Sequence, residues 1–78
     1  MTGTEIMRAI LDRESLSPTR ISVEMGHGRA YLNTLISEGR ECKLGTLIEF
    51  CESAGYELIV RSQDDGYEFE VSKPPEKG

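Results

Sequence analysis

Tryptophan is missing from this chain, and three tyrosines with two phenylalanines are all of its aromatic residues. A core drawn from such a composition is aliphatic and modest. Only two cysteines and one histidine are present. A closed zinc site needs four ligands at set spacings, so no metal ligand is assigned. No serine or cysteine sits in a recognisable nucleophile elbow, and His27 has no identifiable carboxylate to orient it. No catalytic residue and no cofactor are assigned, and the chain reads as a binding module rather than an enzyme. No apolar run approaches the roughly 20 residues that span a bilayer. The opening MTGTEIMRAILDRE brings charge early and has no long apolar block, unlike a secretory signal. These absences lead us to expect a cytoplasmic protein with no membrane partner. Cys42 and Cys51 are then expected as reduced thiols, with Cys51 in the core.

The 78 residues suffice for one domain with a single core and are too few for an enzyme of separate lobes. Burial in so small a core only narrowly exceeds the entropy cost of ordering the chain, so a second subunit is a natural supplement. The net charge of -5 is unevenly spread. Residues 48–78 carry eight acidic and three basic side chains, whereas residues 17–47 set Arg20, Arg29, Arg40 and Lys43 against Glu24, Glu38 and Glu41. An acidic molecule with a locally basic face remains compatible with a polyanionic partner.

Local signals divide the chain into four helices and a hairpin. Thr2-Gly3-Thr4-Glu5 has the form of a capping box and starts a first helix ending near Glu14 or Ser15, with Ile6, Met7, Ile10 and Leu11 on one face. Ser17-Pro18 supplies an N-cap and a first helical residue whose missing amide costs nothing, predicting a second helix over 18–25, stopped by Gly26. A third helix is predicted over 29–37, with Leu32 and Leu35 inward and Gly39 as its stop. Leu44, Leu47, Ile48, Cys51 and Ala54 mark a fourth, closed by Gly55 and lacking a good cap at Lys43. From Tyr56 the apolar period changes from 3.6 to 2, giving YELIVRS and YEFEVSK around QDDG. Tyr56, Leu58 and Val60 then share a face with Tyr67, Phe69 and Val71, and Arg61 faces Glu68 or Glu70 on the other. An isolated hairpin is marginal in water, so its apolar face must pack on the helices or on a second subunit. The reading is thus a mainly α fold, with a helical domain over 1–55, a hairpin and dimerisation element over 56–73, and a disordered tail over 74–78.

Two short helices joined around a glycine make a helix-turn-helix unit. Residues 17–47, SPTRISVEMGHGRAYLNTLISEGRECKLGTL, resemble the helix-turn-helix of the Xre/Cro/CI-like repressor family. The matching positions are Ile21, the small Ser22, Met25, the turn Gly26, Leu32 and Leu35, Gly39-Arg40, and Thr46-Leu47 opening the fourth helix. The chain departs from that pattern at Pro18, where the family usually has glutamine, and at Gly28 and Ile36. The resemblance implies a four-helix, lambda-repressor-like domain whose third helix enters the major groove. Arg29, Ala30, Asn33 and Thr34 would then read bases: Arg29 bonding guanine, Asn33 adenine or phosphate, and Ala30 or Thr34 a thymine methyl. Ser17, Arg20, Arg40 and Lys43 would hold phosphates. Outside that frame Arg29 is an ordinary solvated arginine.

The ending AGYELIVRS after the fourth helix is similar to HipB-like and HigA-like antitoxins, in which strands after the helical domain join two subunits. This implies a homodimer joined through Leu58, Val60, Phe69 and Val71, with its third helices placed about 34 Å apart on operator half-sites. The partners implied are double-stranded operator DNA, a second copy, and, for an antitoxin, a toxin docked on the acidic hairpin. The competing reading keeps the fold and changes the class. It is an acidic protein-binding module, such as a phage-type, anti-CRISPR-like inhibitor or an adaptor, that covers the nucleic-acid-binding surface of another protein.

Overall fold

A computed structural model of the chain describes residues 1–72, as α1 (Gly3–Glu14), α2 (Pro18–Glu24), α3 (Tyr31–Glu38), α4 (Leu44–Ala54), β1 (Leu58–Arg61) and β2 (Glu68–Val71). The last residue of the expected hairpin and the whole expected tail lie outside the described residues. Each start and stop has a local cause. The Glu5 amide donates to Thr2 Oγ1 at 3.2 Å while the Thr2 amide donates to Glu5 Oε1 at 2.9 Å, closing the capping box of α1. Ser17 Oγ accepts from the Arg20 amide at 3.3 Å, and Pro18 opens α2. Gly26, Gly39 and Gly55 end α2, α3 and α4 in the left-handed conformation, at φ of 86°, 65° and 80°.

The core lies among all four helices. Met7, Leu32 and Phe50 are fully buried, with Leu11, Ile21, Leu47 and Cys51 packed around them. α4 packs on both α1 and α2. Its buried stripe is correspondingly wide and takes in Phe50, which the spacing from Leu47 alone did not select. Leu44 corrects the sequence expectation in the other direction. It lies in phase with Leu47 and Cys51, yet it occupies the first turn of α4 and is 59% exposed. Periodicity fixes a side chain's angle around the axis, not how far along the axis its neighbours reach.

The hairpin register pairs Leu58 with Val71, Ile59 with Glu70, Val60 with Phe69, and Arg61 with Glu68. The Ser62 amide donates to the Tyr67 carbonyl at 2.7 Å, leaving Gln63, Asp64, Asp65 and Gly66 as the loop, with Gly66 at φ 77°. The Tyr67 amide donates to Asp65 Oδ1 at 3.0 Å, which with the Ser62 hydroxyl holds the Asp65 carboxyl below the usual range. At the base of the hairpin the Tyr56 hydroxyl donates to Glu14 Oε2 at 2.6 Å, and Arg13 reaches both groups. That cluster ties the strands to the end of α1.

Candidate functional site

α3 is positioned by a side chain from α2. Ser22, fully buried, donates through Oγ to the Pro18 carbonyl at 2.7 Å and accepts from the Leu32 amide at 3.0 Å. It thereby takes the acceptor role that an N-cap residue normally plays, from ten positions earlier. The residues that precede α3 offer no side-chain cap of their own. The helix consequently begins at Tyr31 rather than at the expected Arg29. Arg29 and Ala30 form a turn closed by the Tyr31 amide donating to the Gly28 carbonyl at 3.1 Å. Arg29 therefore stands ahead of the helix instead of within its first turn.

With Leu32 buried and Leu35 and Ile36 half-buried, the opposite side of α3 faces out. Arg29, Ala30, Asn33 and Thr34 are all exposed. Ser17, Arg20, Arg40 and Lys43, the expected phosphate contacts, are exposed as well. Two of them are engaged: Arg20 Nε lies 3.3 Å from Glu24, and Arg40 pairs with Glu38. Exposed pairs of this kind are worth only about 0–1 kcal/mol, so either arginine can exchange its partner for a phosphate. Arg29 and Lys43 form no ion pair among the described residues.

Two features here had no sequence signal that we read. The His27 ring stacks on Tyr31, with centroids 3.8 Å apart and planes 9° from parallel, and so steadies the turn that carries Arg29. The Glu41 carboxylate accepts from the Gly3 amide at 2.5 Å and sits against the N-terminus of α1, where a negative charge is favourable. Aromatic side chains at i, i+4 spacing are a signal for the first. The second joins residues far apart in the chain and has none.

Hollows flank α3 on either side. One, of about 320 Å³, is lined by Arg8, Leu11, Asp12, Leu16, Pro18 and Ile36, with Asn33 and Ser37 at its edge. The other, of about 430 Å³, is lined by Gly28, Ala30, Tyr31, Thr34, Leu35 and Glu38. Carboxylates gather away from these, where Glu24, Glu49 and Glu52 border a hollow between α2 and α4. Among the described residues, no group of three histidine, cysteine or acidic side chains is placed to hold a metal.

The four hairpin residues expected at a dimer interface divide into two pairs. Leu58 and Val71 are half-buried, Leu58 against the helical core, whereas Val60 and Phe69 are 46% and 54% exposed. Tyr67 is 67% exposed and adjoins Phe69, with ring centroids 6.3 Å apart. Arg61 Nε lies 2.5 Å from Glu68 on the other face. Both cysteines are free thiols, Cys51 buried and Cys42 half-buried, and burial pushes both thiol pKa values up. No described helix is long and apolar enough to cross a membrane. No protein-family profile, curated protein or solved structure matches this chain.

Proposed function

We propose that the chain is a sequence-specific DNA-binding repressor of helix-turn-helix type, lambda-repressor-like in its helical part, cytoplasmic, and acting as a homodimer by occupying an operator. Control of its own operon, as in phage repressors and antitoxins, fits a protein with a DNA face and a separate acidic hairpin. The observation that carries this reading is the division of α3. Leu32 is fully buried with its amide held by Ser22, while Arg29, Ala30, Asn33 and Thr34 stand exposed together. A helix fixed along one side and presenting donors and methyl groups on the other suits base recognition in a major groove. Ser17, Arg20, Arg40 and Lys43 are the phosphate contacts in this reading. The second copy covers Val60 and Phe69, with Leu58 and Val71 at the inner edge of the same face.

Duplex titration at two salt concentrations tests the DNA-binding half. Four phosphate contacts on each of two protomers predict log-log slopes on the order of -7. Binding that ignores salt, or no binding, contradicts the reading. Sedimentation across micromolar concentrations tests the other half, and a monomer throughout contradicts the dimer.

One observation favours the alternative class. The hairpin exposes Val60, Tyr67 and Phe69 beside Asp64, Asp65, Glu68 and Glu70, an acidic surface with aromatic anchors suited to a basic protein. In that reading the chain is a toxin-binding antitoxin, an adaptor or a phage-type inhibitor. An inhibitor of this kind leaves DNA unbound at every salt concentration.

A further inference from the structure

Resting on the DNA-binding reading above, we propose that the hollow beside α3 recognises thymine methyl groups, so that the operator carries thymine where this helix meets the base edges. The hollow of about 430 Å³ is walled by Tyr31 and Leu35 and bordered by Ala30 and Thr34, with Gly28 contributing no side chain. His27, stacked 3.8 Å away, holds the Tyr31 ring in place. Past Tyr31 and Leu35 lies a second hollow of about 300 Å³, reaching Cys42, Lys43 and Thr46.

The charges around this surface point to a polyanion. Its two carboxylates are already engaged, Glu38 by Arg40 and Glu41 by the Gly3 amide at the start of α1. Its two cations, Arg29 beside the first hollow and Lys43 in the second, have no ion pair among the described residues. An occupant with anionic flanks and small apolar groups between them matches this pattern. On the edges of base pairs in the major groove, the C5-methyl of thymine is the apolar group presented. A protein segment is the other conceivable occupant, and it has no dependence on that methyl.

The test uses the full chain and a duplex library randomised over about two helical turns. The best selected duplex is remade with deoxyuridine in place of each thymidine in turn, which deletes one methyl and preserves pairing. At the contacted positions affinity is expected to fall roughly three- to five-fold per methyl. Thr34→Ser, an exposed change that deletes the facing methyl, is expected to shrink the loss at one of those positions, with an unchanged circular dichroism spectrum. Selected duplexes without thymine enrichment, or uridine forms that bind equally well, overturn the thymine assignment and leave DNA binding standing. Failure to select any sequence overturns both.

Discussion

The Ser22 hydroxyl binds two helices at once, accepting from the Leu32 amide at 3.0 Å while donating to the Pro18 carbonyl at 2.7 Å. Removing it strands a buried amide at the start of α3. Ser22→Ala is therefore expected to destabilise the fold by about 1–3 kcal/mol, measured by urea denaturation. The first turn of α3 should also lose amide-exchange protection before the rest of the helix. A variant as stable as the parent contradicts this anchoring role.

Phe50 and Leu44 test the packing from opposite ends of α4. Phe50→Ala opens a cavity at a fully buried position and is expected to cost about 3–5 kcal/mol, enough to leave a chain of this size largely unfolded. Leu44→Ala, at an exposed position, is expected to change stability by no more than about 0.5 kcal/mol. Comparable losses in thermal unfolding would contradict the placement of both residues.

Most of the fold was legible because its signals are local. The Thr2 capping box, the Ser17-Pro18 start, the glycine stops and the change of period at Tyr56 each act within a few residues, and each produced the expected element. What could not be read depends on contacts between elements. The start of α3 is decided by Ser22 on another helix, and the burial of Phe50 by two neighbours packing on α4. The exposure of Leu44 reflects where along α4 the packing begins. At the candidate site the residue types of the outer α3 face were legible from periodicity, whereas the turn conformation of Arg29, the His27–Tyr31 stack and the engagement of Glu41 were not.

The capping box gives acid sensitivity a defined origin. Hydrogen bonds from the Thr2 amide and hydroxyl hold the Glu5 carboxyl below the usual range. A carboxyl depressed in the folded chain contributes stability that is present above its unfolded pKa and is lost as pH falls through its folded value. Unfolding measured from neutral pH downward should therefore show a decline below the ordinary carboxylate range that is shallower in Glu5→Gln. Thr2→Ala is expected to cost about 1 kcal/mol at neutral pH and to flatten the same decline. Identical acid profiles for the three proteins contradict this origin.

The outward side of α3 is tested most directly by comparing Arg29→Ala with Arg40→Ala on the selected duplex and on an unrelated one. Arg29→Ala is expected to lose about 1–3 kcal/mol on the selected duplex alone, relaxing base preference. Arg40→Ala is expected to weaken both duplexes alike and to lower the salt slope by about one. If the two variants and the parent bind both duplexes equally, α3 does not read DNA.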